Sequence, residues 1–257
     1  MIEVREYRGE DIQELVRLWC GVFGDDENSV KAFFRLLPSF GSCAVCAENA
    51  KIIAMASIIE GRVEEKCAYV FAVAVAPDFR GLGLGKAVSE AAYQLAKSRG
   101  AQTVCTKPAD EGLFSFYERF LGLKTALFRE KSEAAAKEGG AEKIGASEYR
   151  SLREKLLEGK AHMSFPEGFI EYLDIAFTNC GGGLFKAGGG ICACTAENGV
   201  CRAEEVISEK PDVTAAAVAA ALGCDFAEYY LPSPSGEAFI AADRSFPDGT
   251  VFNLVCE

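Results

Sequence analysis

The sequence has a single histidine, His162, and a single tryptophan, Trp19. It also has no apolar run near the roughly 20 residues that span a bilayer. Its first residues, "MIEVREYRGED", are charged and lack the apolar core of a secretory signal. Together these absences predict an unprocessed cytoplasmic protein with no membrane partner. Eleven cysteines raise the question of metal or disulfides. Zinc sites, however, take about four converging ligands, and one histidine supplies little. Cys43 and Cys46 form a C-x-x-C inside "GSCAVCAEN", which reads as a strand, so their side chains point to opposite faces. Cys192 and Cys194 share a strand face with no histidine near them. The expectation is no metal, and free buried thiols in a reducing compartment.

Positive charge is also scarce. Residues 1–131 carry 17 Lys+Arg against 18 Asp+Glu, and residues 132–257 carry 10 against 20, for a net charge of −11. Such an acidic chain is a poor binder of nucleic acid or anionic membrane. An acidic second half suits a cationic substrate, and equally suits a solvated surface. With 257 residues, the chain accommodates two domains of about 120 residues.

Apolar residues Ile12, Leu15, Val16, Trp19, Val22 and Phe23 make a helical stripe, which places Trp19 in a core. "SVKAFFRLLPSF" reads as a second helix ending near Pro38. "CAVCAEN" and "KIIAMASIIEGRVEE" read as a hairpin turning at Asn49-Ala50. "CAYVFAVAVAP" is continuously apolar, which predicts a central strand covered on both faces. A helix from Gly85 closed by Gly100, a strand "QTVCTK", a helix "DEGLFSFYERFLG" and a strand "KTALFREK" follow. Residues 132–143 are polar and weakly patterned, and are read as a linker between domains at 1–131 and 144–257. Beyond them the order of two helices, a hairpin, a strand, a helix and more strands repeats, with "EAFIAADR" and "TVFNLVCE" expected as a closing pair.

The stretch "VAVAPDFRGLGLGKA", Val73 to Ala87, spaces three glycines alternately between Arg80 and Lys86. A nucleotide P-loop needs G-x-x-x-x-G-K-[ST], but Gly81 to Gly85 is too short a span and Ala87 follows Lys86. A dinucleotide fingerprint needs glycine at 86 or 88, where Lys86 and Val88 stand. What remains is a tight anion-binding turn at a helix start. There, bare backbone and the helix dipole both favour a phosphate.

These residues resemble the acyl-CoA signature of the GNAT acetyltransferase superfamily, Arg/Gln-x-x-Gly-x-Gly/Ala, here Arg80, Gly83 and Gly85. "KPADEGLFSFYERFLGLK" resembles the family's helix with an aromatic–tyrosine pair, with its closing Gly122 one residue late. The resemblance covers the first half by motif and the second only by element order. It implies a mixed-sheet α/β fold, the GNAT acyl-CoA acyltransferase fold, followed by a degenerate GNAT-like half. It further implies an N-acyltransferase that passes acetyl from acetyl-CoA to a primary amine by direct attack. The implied cosubstrate contacts are Val73, Ala74, Val75, Arg80, Gly81, Leu82, Gly83, Leu84, Gly85 and Lys86. The fourth strand is implied to bulge and splay from the fifth, freeing the amides of residues 73–75. Tyr117 takes the place of the family's general acid, since a phenol of pKa near 10 is protonated at neutral pH and can donate to a thiolate.

No general base stands out. Glu60, Glu64 and Glu65 lie where some relatives place one, and the terminal carboxylate of Glu257 is a further candidate. The second half has "EEVISEKPDVTAAAV" where the first has its glycines, so it is expected not to bind coenzyme A. Its expected work is to cover the first sheet and wall the acceptor pocket, with Tyr229 and Tyr230 as candidates, or simply to pack. The glycine groups at 181–183 and 188–190 are expected to make hairpin turns. A non-catalytic coenzyme A-responsive regulator and an interaction module on the same fold are the rival readings. The acceptor's identity, and the choice between monomer and homodimer, stay open.

Overall fold

The computed structural model of the protein describes residues 2–254. In chain order it runs β1 (Glu3–Glu6), α1 (Ile12–Phe23), α2 (Glu27–Leu36), β2 (Gly41–Glu48), β3 (Lys51–Val63), β4 (Glu65–Val75), α3 (Leu84–Ser98), β5 (Thr103–Thr106) and α4 (Glu111–Leu121). It continues through β6 (Lys124–Ala135), β7 (Glu142–Lys143), α5 (Ala146–Leu156), α6 (Glu167–Asn179), β8 (Gly183–Ala187), β9 (Gly190–Glu197), β10 (Val200–Ile207), α7 (Pro211–Ala221), β11 (Phe226–Pro232) and β12 (Glu237–Ala242). The chain divides into two compact units. The first holds the residues up to Ala126 together with Phe239–Phe246; the second holds Leu127–Ala238 and the residues from Pro247 on. Residues 132–143, read from sequence as a linker, hold the last residues of β6 and all of β7. Among the described residues no helix is long and apolar enough to cross a membrane.

In the first unit the strands lie in the order β1-β2-β3-β4-β5-β12. Neighbours are antiparallel except for β4 and β5, which are parallel and joined through α3. Leu84, Val88, Ala92 and Ala96, spaced four apart on α3, pack on Ala54, Ala68 and Val70 of the sheet. Alternation along β4 turns Phe71 to the other face, where it meets Trp19 of α1 at 5.6 Å between ring centroids. Trp19 in turn stacks on Phe33 of α2 at 4.8 Å. It is buried, as its stripe predicts, and its indole N–H donates to Asp25.

The last strand of this unit comes from far along the chain. Ala241 and Ala242 pair with Thr106 and Cys105 of β5. Asp243 fastens the join, accepting from the Val104 amide at 2.9 Å and the Tyr93 hydroxyl at 3.0 Å, and pairing with Lys97 at 2.6 Å. Among the described residues the closing pair expected from sequence does not form. "EAFIAADR" pairs with β5 instead, and Val251 bridges His162. A four-residue β5 paired on only one side would leave its other ladder of N–H and C=O groups unpartnered, and a distant segment meets that need.

The second unit repeats the order of elements, with strands β6-β11-β10-β9-β8-β7 and a parallel pair, β10 and β11, joined through the Ala-rich α7. Ala215, Ala217, Val218 and Ala219 pack on a core that includes Cys192, Cys194 and Cys201. These thiols form no disulfide. Opposite α7, the fully buried Arg153 of α5 holds the fully buried Glu205 of β10 at 2.9 and 3.1 Å. Tyr149 donates to the same carboxylate at 2.9 Å, and Arg153 Nη1 donates to the Met163 carbonyl at 2.7 Å. Cutting one partner from a buried pair leaves an uncompensated charge, at a cost of about 3–5 kcal/mol. Glu205→Ala should therefore destabilise the chain by about that much in urea denaturation, and Arg153→Met with Glu205→Leu together should recover most of the loss.

Candidate active site

The glycine stretch joins β4 to α3. After Val75 the chain makes a 3-10 turn over Pro77–Phe79, passes Arg80 in an extended conformation, and enters the helix at Leu84. Gly81 (φ +80°) and Gly83 (φ +77°) are left-handed, which only glycine adopts freely, and a Cβ at either would meet nothing within 4 Å. Gly85 is different. Its conformation is helical, and a Cβ there would sit 3.7 Å from Val75 Cγ2, an ordinary contact. The protein itself does not require glycine at 85.

The start of α3 breaks the usual rules for a helix. Its N-cap is Gly83, with no side-chain cap and no acid in the first turn. Helix geometry leaves the first four N–H groups without intrahelical acceptors, and the first closing bond runs from Ala87 N to Gly83 O. A cation, Lys86, occupies this turn, where the dipole disfavours one. Lys86 lies over the Phe120 ring at 4.8 Å and 3.7 Å from Glu90. Arg80 reaches back to the Val75 carbonyl at 3.4 Å. Open space, free donors and two flanking cations make an arrangement that an anion would complete.

Beside this turn the sheet opens. β4 and β5 pair only from Cys67–Thr103 to Val70–Thr106, where β5 ends and β4 runs on to Val75. Burial follows. The run expected to be covered throughout is buried from Cys67 to Val70, but Phe71, Ala72, Val73 and Val75 are only half-buried. The register between β3 and β4 shifts here, and Ala72 takes φ +51°, a β-bulge built on an alanine. Ala76 N donates to Ile53 on β3. Alternation from that bond turns the main-chain groups of Ala74 toward β3 and those of Val75 away from it, where Arg80 meets the Val75 carbonyl. Val73 lies in the unpaired step of the bulge, between Phe71 and Ala74.

Tyr117 stands at the fork. It is buried on α4, with Leu123 and Ala241 against it and the Phe116 ring at 5.2 Å. Burial pushes its phenol up from the usual tyrosine range, and the hydroxyls of Thr106 and Ser89 act in the opposite direction. Asp110 caps α4 by accepting from Leu113 N at 3.0 Å. The late glycine widens the last turn of the helix. Gly122 (φ +69°) donates to Glu118 O and Tyr117 O, and Leu123 also donates to Tyr117 O, a span one residue longer than the Schellman close that α3 makes at Gly100.

The carboxylates considered as bases stand elsewhere. Burial pushes the Glu60 carboxyl up, but Lys66 and Arg99 outweigh it and hold it below the usual range. Glu64 lies in the β3–β4 turn, and Glu65 faces Arg244 at 3.9 Å. At ~3.3 Å per residue, Ala72 is ~23 Å along the strand from Glu65. Glu257 lies outside the described residues. Among those described, no group of three His, Cys, Asp or Glu side chains is placed to hold a metal. Sequence reasoning passed over Ala72, Thr106 and Ser89. Only Ser89 left a sign, as the one polar residue among the buried positions of α3.

The second unit keeps the splay and closes the rest. β10 and β11 also pair over four residues, and β10 also shifts register, between Ala203 and Glu205. Yet α7 begins with Pro211, which has no N–H, and a Cβ on Gly190 would lie 2.5 Å from Ser208 Cβ. Gly188 and Gly189 do turn the β8–β9 hairpin, whereas Gly181 and Gly182 pass so close to the carbonyls of β9 that a Cβ would collide. Tyr229 is buried in this unit's core, and the Tyr230 ring lies under the Arg129 guanidinium at 3.6 Å.

Residues 10–123 match the family model described as Acetyltransferase (GNAT) family. No curated protein matches the chain. Among solved structures, a GCN5-related N-acetyltransferase from Kribbella flavida is 16% identical with a TM-score of 0.67, covering 94% of this chain and 70% of its own. A GCN5-related N-acetyltransferase from Anabaena variabilis is 14% identical with a TM-score of 0.66, covering 94% and 72%. Eis1 from Mycobacterium abscessus is 11% identical with a TM-score of 0.63, covering 94% and 73%. At these identities the likeness is one of fold.

The bulge has a measurable signature. In an ordinary strand, Ala→Gly costs about 0.5–1 kcal/mol, but at a left-handed position glycine relieves a comparable strain. Ala72→Gly should therefore be close to neutral in urea denaturation, and Ala72→Val should cost more than about 1 kcal/mol.

Proposed function

Starting from a chain whose residues 10–123 form a domain of the GNAT acetyltransferase family, we propose that its first unit transfers acetyl from acetyl-CoA to a primary amine by direct attack. One observation carries this reading: an uncapped helix start behind a glycine turn, opening beside a splayed strand pair. The donors there fit a diphosphate. The main chain of Gly81, Leu82, Gly83, Leu84, Gly85 and Lys86 offers N–H groups, and Arg80 and Lys86 add charge. Glycine at 85, which the protein's own packing does not demand, leaves the outer side of the first turn bare.

The bound cosubstrate supplies a thioester carbonyl and a thiol leaving group; this chain supplies the rest. On this reading the main-chain amides of Val73 and Val75 line the gap, with Ala74 paired to β3 between them, and such fixed donors stabilise an oxygen as negative charge develops on it. Tyr117, kept protonated by burial, donates its proton to sulfur as the C–S bond breaks and the electron pair stays on sulfur. The new amide nitrogen loses its proton to water, and the phenol recovers one from solvent. The amine must arrive neutral, and the carboxylates at the β3–β4 end do not reach it.

The second unit, with Pro211 and the β8–β9 hairpin where the cradle would stand, is read as a degenerate GNAT-like unit that does not take up coenzyme A. A screen of primary amines with acetyl-CoA tests the proposal through thiol release. Tyr117→Phe should lower kcat by ~10²-fold or more with coenzyme A affinity unchanged. Gly85→Val should keep the fold and cost at least ~10-fold in coenzyme A affinity by calorimetry. Tight coenzyme A binding with no turnover for any amine would favour a regulator instead, and undiminished binding by Gly85→Val would remove the cradle.

A further inference from the structure

Ser89 sits on the buried face of α3, one turn after Gly85. It is fully buried, and its Oγ makes no hydrogen bond of good geometry to any protein group among the described residues. A serine inside a helix usually returns its hydroxyl to the carbonyl four residues back, and this one does not. A buried hydroxyl without a partner is costly enough to need a reason. What it faces is the phenol of Tyr117, which Thr106 also faces from the end of β5.

The proton inventory of the three hydroxyls is unequal. Thr106 Oγ1 donates to the Val70 carbonyl at 3.0 Å, at the last residue where β4 and β5 pair. Its one proton is committed, and its oxygen is left to accept. Ser89 has an uncommitted proton. A neutral Tyr117 phenol can thus donate toward Thr106 while Ser89 donates to it. The nearest titratable groups are otherwise engaged. Tyr93 of α3 donates to Asp243, Asp243 pairs with Lys97, and no charged side chain among the described residues bears on the Tyr117 phenol.

We propose that Ser89 and Thr106 are positioning residues that hold the Tyr117 phenol toward the fork and stabilise the phenolate left when it gives up its proton. This rests on Tyr117 acting as the acid. The Tyr117 O–H bond breaks, the proton passes to the departing sulfur, and the electron pair stays on the phenol oxygen. Ser89 then gives its uncommitted proton to the phenolate as a hydrogen bond, and Thr106 turns its proton from Val70 to the same oxygen. Water returns the lost proton. Both hydroxyls already act against burial on the ionisation of Tyr117, which is the direction this role requires.

The test needs no acceptor. The chain is labelled throughout with a fluorinated tyrosine that ionises near neutrality, and the Tyr117 fluorine resonance is identified by its loss in Tyr117→Phe. Its titration midpoint is then compared among variants. Ser89→Ala and Thr106→Val should each raise the midpoint by about one pH unit. Ser89→Thr and Thr106→Ser, which keep the hydroxyl, should bring it back. A midpoint unmoved by Ser89→Ala and Thr106→Val overturns the proposal. A midpoint that moves as expected, while Tyr117→Phe retains full thiol release from acetyl-CoA with the amine panel, overturns the acid reading alone and leaves the hydroxyl contacts standing.

Discussion

Beyond Val70, β4 has no strand on one of its sides. β5 ends at Thr106, and the bulge at Ala72 bends the remaining residues away. A sheet interior normally pairs every N–H and C=O, so an opening of this kind costs stability unless something else engages those groups. Thr106 caps one carbonyl, and Arg80 reaches another. Val73 and Val75 are left half-buried beside the gap. The glycine turn, the bare start of α3 and the phenol of Tyr117 are all placed by that parting of two strands.

The second unit shows that the skeleton alone does not make a site. It has the same parallel pair, the same four-residue contact and a bulge at the same place. There the helix opens with a proline, a glycine hairpin is packed tightly on the preceding loop, and a buried ion pair occupies the opposite face. Small changes in side-chain chemistry turn an opening into a solid core. The buried Arg153–Glu205 pair is costly to desolvate, and Tyr149 and the Met163 carbonyl offset part of that cost.

Much of this was legible in the sequence. The stripes on α1 and α3, the Asn49–Ala50 turn and the strand–glycine–helix order are local patterns, and the structure follows them. The apolar run of β4 predicted full burial, and the structure gives that only to its first half, because hydrophobicity does not say where a neighbouring strand stops. Nothing about an alanine at 72 signals a left-handed backbone. The partner of β5 was missed because it lies more than a hundred residues away, and the expected local hairpin was the nearer choice. Tyr117 was singled out through resemblance, whereas Ser89 and Thr106 stand out only once α3, β5 and α4 converge.

That distant partner bears on how the molecule is made. Phe239–Phe246 belongs to the first unit, yet it leaves the ribosome only after nearly all of the second. Until then β5 presents a bare ladder, and Val104 and Tyr93 await Asp243. The first unit cannot mature in order of synthesis. Its completion waits on residues 239–246, so a chain interrupted before them ends with an unfinished sheet.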